Sequence, residues 1–160
     1  MAVQLAKARG ARVFGTASGA EHIDLIRKLG CDEAIDYKAT RFEDHVRDVD
    51  VVLDPVSGDS QRRSLGVLKK GGILVALTEE PRQELARNSG VRATMIGVKP
   101  DGQRLAEIGK LIDNSQLRPV IQAVLPFPRA QEALQLSRGR HVGGKIVLIP
   151  PSGLPPASRP

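Results

Sequence analysis

An α/β domain with a doubly wound, mainly parallel sheet is what this sequence predicts, on three observations. Apolar patterns of strand length and of helix length alternate along the chain, which calls for crossover connections and therefore parallel strands. The 160 residues are 41% hydrophobic but only 2% aromatic, with Phe14, Tyr37, Phe42 and Phe127 and no tryptophan, so Val, Leu, Ile and Ala fill the interior, as in sheets buried on both faces. Nothing in that length demands two independent cores, and no internal repeat is present.

The elements follow in order. A helix over residues 2–9 stops at Gly10, a C-terminal cap, and lacks an N-cap, with Met1 inside its apolar pattern. Residues 11–16 read as a strand, 20–29 as a helix stopped by Gly30, and 34–36 as a short strand. A helix over 41–47 leads to the buried strand Asp50-Val51-Val52-Leu53-Asp54 and a helix over 60–68, which Lys69-Lys70-Gly71-Gly72 ends before a strand at 73–77. Next come a short helix at 82–88, a strand at 91–98, and a helix at 102–113 that opens after Pro100-Asp101. Residues 117–125 read as a β segment interrupted by Pro119, followed by a helix over 128–137 and a strand at 145–149 after Gly143-Gly144. Five prolines and little apolar content make 150–160 a disordered tail.

The net charge of +6 is uneven: residues 1–80 carry 12 Lys+Arg against 13 Asp+Glu, residues 81–160 carry 12 against 5. The excess is dispersed over Arg82, Arg87, Arg92, Lys99, Arg104 and Lys110, with no dense run and no interleaved aromatics to stack bases. That argues against nucleic acid and for a solvated basic face or a field that steers an anionic cofactor. Cys31 stands alone, so no intrachain disulfide forms; with no secretory signal and no apolar run long enough to span a membrane, the cytoplasm is the expected compartment. Cys31 itself reads as a small buried apolar residue. His22, His45 and His141 are isolated and read as surface residues; no zinc-spaced Cys/His set, Walker A sequence or nucleophile elbow occurs, so no zinc is expected.

Dinucleotide-binding folds of this class seat pyrophosphate on backbone N–H groups at a Gly-rich turn between the first strand and first helix. This chain has the helix but neither the strand nor the loop. The runs Gly10-Ala11-Arg12-Val13, Gly15-Thr16-Ala17, Leu29-Gly30-Cys31-Asp32-Glu33, Ile35-Asp36-Tyr37, Asp50-Val51-Val52-Leu53-Asp54, Lys70-Gly71-Gly72, Leu117-Arg118-Pro119-Val120-Ile121 and Gly144-Lys145-Ile146-Val147-Leu148 lie colinear and naturally spaced. Together they resemble the cofactor domain of medium-chain dehydrogenase/reductases, in the NADPH:quinone oxidoreductase-like branch often labelled zinc-binding dehydrogenase.

The resemblance implies a Rossmann-like fold lacking its usual first strand, over residues 1–116. It further implies that 117–149 is the segment that returns to a catalytic domain, and that the chemistry is hydride transfer between NADP(H) and a small quinone or enone. Relatives read the adenosine ribose just after the second strand, here Thr16-Ala17-Ser18-Gly19; no acid stands there, which leaves room for the 2′-phosphate of NADP. Ser18 is then a phosphate donor or a helix N-cap, and Tyr37 an adenine-side donor or a strand-end packing residue. His22 replaces the basic residue many relatives use, a weaker and pH-dependent partner. Val56 and Gly58 follow the buried strand where relatives hold the cofactor's ribose and nicotinamide; alternatively Gly58 only permits the turn and Asp54 caps the next helix. Without the phosphate loop, cofactor binding is expected to be weak and standalone turnover doubtful. The rival readings are a non-catalytic binding or assembly module, and an enzyme with new chemistry in the vacated cleft.

The missing strand is the central one of the order 3-2-1-4-5-6. Its neighbours at 11–16 and 50–54 would each lack about five ladder bonds, a deficit on the order of 10 kcal/mol at roughly 1 kcal/mol each. The expectation is therefore that these two strands pair directly, that 120–125 or 145–149 inserts between them, or that a second chain donates a strand, with a homodimer favoured.

Overall fold

The computed structural model describes residues 1–139 and 142–151, within which seven strands alternate with six α-helices. His141 and nearly all of the proline-rich tail, residues 152–160, lie outside the described residues. The order is α1 (Ala2–Ala8), β1 (Phe14–Ala17), α2 (Ala20–Lys28), β2 (Glu33–Asp36), β3 (Val49–Asp54), α3 (Asp59–Leu65), β4 (Leu68–Ala76), α4 (Gln83–Asn88), β5 (Arg92–Met95), α5 (Gly102–Asp113), β6 (Ile121–Pro126), α6 (Ala130–Arg138) and β7 (Lys145–Ile149). Every strand pairing is parallel, as alternation with helices requires.

Local chemistry explains where the pattern held and where it slipped. α5 begins where Asp101 predicts, the carboxylate accepting the Arg104 N–H at 3.0 Å as an N-cap. The helix expected over 41–47 shrinks to one 3₁₀ turn, Phe42–Asp44, and Asp48 takes a left-handed φ of 53° to turn the chain into β3. Lys69-Lys70-Gly71-Gly72 does not end a helix but bulges within β4. Val49 lies opposite Leu68 while Val51 lies opposite Ile73, and the surplus residues are taken up around Gly71, φ 76°.

Among the described residues no strand closes the central gap. Within these described residues β1 pairs only with β2, β3 heads a separate ladder β3-β4-β5, and β6 and β7 pair with each other, Val124 opposite Val147. Neither β6 nor β7 is free to insert, because each uses the other's backbone groups. What joins the β1-β2 and β3-β4-β5 sheets is side-chain packing: buried Ile35, Val46 and Val67 form a cluster against which Phe14, Phe42, Val49 and Val52 pack. This seam spans β1, β2 and β3 without a backbone bond between β1 and β3. Asp32 secures the outer end, accepting from Val13 N at 2.7 Å and pairing with Lys7 of α1 at 2.9 Å. Those two partners hold its carboxyl below the usual carboxylate range.

The second core cluster centres on β4, where Leu74 and Ala76 are fully enclosed among Leu65, Leu68, Ala86 and Val91. The C-terminal unit is tied to α1 by a reciprocal pair: Gln4 Nε2 donates to the Arg118 carbonyl at 2.9 Å, and Arg118 N donates to Gln4 Oε1 at 2.8 Å. Gly144 is required by close approach, since a Cβ there would lie 2.7 Å from the Val120 carbonyl oxygen. Leu74→Ala is expected to cost about 2–5 kcal/mol in chemical denaturation, the range for emptying a fully buried leucine site; a loss under about 1 kcal/mol would show that β4 is not the core.

Candidate functional site

Two groups of residues sit at the C-terminal ends of the parallel strands, where open α/β sheets present ligand-binding loops. The first follows β1 and β2. Ala17, Ser18, His22, Leu25, Ile26, Tyr37 and Lys38 line a cleft of about 310 Å³ whose far wall is Val142 and Gly143. Three of the sequence-predicted residues, Ser18, His22 and Tyr37, thus share one surface. Ser18 is not a helix N-cap; that position belongs to Gly19, with no side-chain bond. Tyr37 is 54% exposed, which argues against a packing role and leaves its hydroxyl free for solute.

His22 does not simply point outward. Its Nδ1 lies 3.0 Å from the Ser18 carbonyl oxygen, an atom that only accepts, so Nδ1 carries the hydrogen. The opposite edge of the ring lies against the backbone of Gly143, where an added Cβ would come within 3.3 Å of Cδ2 and Nε2. His22 is therefore a positioning residue that supports the turn and receives the C-terminal segment. Lys38, whose charge acts on Asp36, is a cation of the cleft that the sequence does not single out; its adjacency to Tyr37 at a strand end was the available signal. The acid absent from the β1 turn is supplied from β2: Asp36 accepts from Lys38 N at 2.9 Å and Gly19 N at 3.2 Å, and these N–H groups hold its carboxyl below the usual range.

The second group follows β3 and holds Val56 and Gly58, which lie outside the first cleft. Asp54, 3% exposed, does not cap α3 as one reading proposed. Its Oδ1 accepts from Val56 N at 2.9 Å and Ser57 N at 3.0 Å, while its buried Oδ2 has no partner among the described residues. Gly58 at φ 69°, ψ −132° occupies backbone space open to glycine alone, so the turn depends on it. Ser57 Oγ and Thr78 Oγ1 share a hydrogen bond, tying this turn to the one after β4. Val56 stands 73% exposed between its clamped neighbours.

A model of the zinc-binding dehydrogenase family matches residues 29–148, most of the chain. The chain belongs to that family. It is 30% identical to the mitochondrial NAD(P)H oxidoreductase RTN4IP1 of Danio rerio over 92% of its own length and 45% of that protein's. It is 31% identical to the chloroplastic NADPH-dependent alkenal/one oxidoreductase of Arabidopsis thaliana, over 94% of its length and 37% of that protein's. The quinone oxidoreductase structure from Coxiella burnetii superposes with a TM-score of 0.84 at 30% identity, over 92% of this chain and 47% of that one. The chain thus spans less than half the length of these relatives. The resemblance read from the sequence, to oxidoreductases of the medium-chain dehydrogenase/reductase type with a Rossmann-like cofactor domain, is confirmed.

Despite the family's name, the described residues hold no group of three or more His, Cys, Asp or Glu placed to bind a metal ion. Cys31 is buried, its thiol donating to the Glu33 carbonyl at 3.2 Å and pushed up in pKa by that burial, an inert core residue. No helix among the described residues is long and apolar enough to cross a membrane. For this zinc-binding dehydrogenase-family domain, Asp54→Ala is expected to cost about 1–3 kcal/mol, because the part-buried Val56 N–H and the buried Ser57 N–H lose their shared acceptor. Asp54→Asn, which keeps one acceptor oxygen, is expected to cost under about 1 kcal/mol. Urea denaturation checks both; equal losses would show that the carboxylate charge, not the turn, is what matters.

Proposed function

We propose that this chain is the cofactor-binding half of an NADP(H)-dependent oxidoreductase acting on small quinone- or enone-like substrates. The single observation that carries this reading is the cleft that gathers Ser18, Tyr37 and Lys38 beside an acid-free β1 turn. A hydroxyl, a phenol and an ammonium around a small-residue turn suit a ribose 2′-phosphate. An NAD-preferring site would instead present a free carboxylate there, and Asp36 is engaged by two backbone N–H groups. The names of the relatives, an alkenal/one oxidoreductase and a quinone oxidoreductase, support the substrate class.

The bound cofactor supplies a hydride. The chain's own residues bind and orient it: Lys38, Tyr37 and Ser18 hold the phosphate of the adenosine ribose, and the Val56–Gly58 turn lines the nicotinamide end. No zinc step is proposed. The segment 117–149 serves as the return to a substrate-bearing domain, and its Val142 and Gly143 border the ribose cleft. A lone free thiol fits a reducing compartment such as the cytoplasm. A homodimer would form through β5, which among the described residues pairs only with β4 and carries exposed Met95, Ile96 and Val98 along and beyond its other edge.

Isothermal titration of the chain checks the cofactor. NADPH is expected to bind more tightly than NADH, at micromolar affinity or weaker because these 160 residues hold no glycine-rich phosphate loop, and Lys38→Ala is expected to lower NADPH affinity about tenfold while sparing NADH. Equal binding of the two cofactors would refute the phosphate assignment. Sedimentation at micromolar concentration checks the dimer: the expected species is a dimer that a lysine at position 96 converts to monomer, and a monomeric unmodified chain would refute it.

A further inference from the structure

We propose that Ser57 and Thr78 form a hydroxyl latch that fixes the loops after β3 and β4 against one another, making both positioning residues for the nicotinamide end of the cofactor. The inference rests on the cofactor reading above and assigns a role to two side chains which that reading leaves unused.

The last rung of the β3–β4 ladder is the bond from Leu77 N to the Asp54 carbonyl at 3.1 Å. Beyond that rung no ladder bond sets the separation of the two chains, yet the turn at 55–58 is tightly specified. Asp54 Oδ1 fixes it from within by holding Val56 N and Ser57 N. Ser57 fixes it from outside, through its 2.5 Å contact with Thr78 Oγ1.

The residue type at 57 is informative. A φ of 72° is left-handed, where glycine is the default and a side chain is disfavoured. A serine held there, only 6% exposed, carries a hydroxyl that would be buried unsatisfied without Thr78. Strain of this kind persists only where the surroundings over-determine it, and it concentrates at ligand sites. What the strain secures is Val56: 73% exposed, apolar, and flanked by the clamp on one side and Gly58 on the other, where an added Cβ would meet open space. A fixed apolar side chain at the C-terminal end of β3 is a platform for one face of a flat ring. If the latch opens, that platform loses its position while the cleft after β1 and β2 is untouched.

The two ends of the cofactor therefore respond separately. Titration of the full 160-residue chain uses NADPH, which carries both ends, and 2′,5′-ADP, which carries the phosphorylated adenosine and no nicotinamide. Ser57→Ala and Thr78→Val are each expected to weaken NADPH about three- to tenfold, the worth of one hydrogen bond, and to leave 2′,5′-ADP binding unchanged. The double variant is expected to be no weaker than the worse single one, since either change opens the same latch, and Thr78→Ser, which keeps the hydroxyl and folds as the parent does, is expected to bind NADPH like the parent. Parallel weakening of both ligands, unaltered NADPH binding, or additive losses would overturn the latch. An unmodified chain that binds neither ligand would overturn the cofactor reading and the latch with it; binding of 2′,5′-ADP with NADPH indifferent to positions 57 and 78 overturns the latch alone.

Discussion

The arrangement of this molecule depends on a seam of side chains standing where a backbone ladder is absent. Phe14 of β1 and Ile35 of β2 meet Val49 and Val52 of β3 around Val46, Val67 and Phe42. Hydrophobic contact is non-directional, so it can hold two sheets together without dictating a register. Register within each sheet comes from its own parallel ladder, while the seam sets only how the sheets face each other. The β1–β2 cleft and the β3–β4 turns, which the proposed function assigns to opposite ends of one dinucleotide, are aligned by this packing. The opposite face of β3 shows what the seam leaves uncovered: Val51 and Leu53 remain exposed, a free apolar edge beside the gap.

The site's electrostatics follow from the same economy of partners. Carboxylates near the cleft are engaged by backbone N–H groups, Asp36 by those of Gly19 and Lys38, so a phosphate approaching Lys38 meets an ammonium beside a carboxylate already held in hydrogen bonds. Asp54 does the same for the turn after β3, at the cost of one buried oxygen without a partner. Glu79 and Glu80, exposed just past Thr78, are the counterweight: their charges would oppose a passing pyrophosphate.

The sequence made the large features legible through periodicity and punctuation. Asp101 marked the start of α5, Gly30 the stop of α2, and the aliphatic runs at 50–54 and 145–149 the strands. It failed where a short run carried two meanings: Phe42 to Val46 has helical spacing yet serves as a 3₁₀ turn and a seam contact, and Lys69 to Gly72 has the composition of a helix stop yet forms a bulge. For the site, Ser18, His22 and Tyr37 were found by position in a family pattern and do meet in one cleft, but the histidine's orientation toward the Ser18 carbonyl was invisible without coordinates. The Ser57–Thr78 bond joins residues 21 apart, and a serine in left-handed backbone carries none of the glycine signal that makes such turns readable. Direct pairing of β1 with β3 and insertion of β6 or β7 do not occur, because a count of lost ladder bonds omits side-chain packing that bridges sheets with no backbone contact.

That the two surfaces act as one nucleotide site is the central claim, and amide chemical-shift mapping tests it most directly. Isotope-labelled chain titrated with NADPH is predicted to show shifts in two separate stretches, residues 17–22 with 37–38 and residues 54–58 with 77–78, and none in the 410 Å³ cleft that Gln122, Gln135 and Leu136 line beside α6. Shifts confined to that α6 cleft, or to one stretch with the other silent, would contradict it.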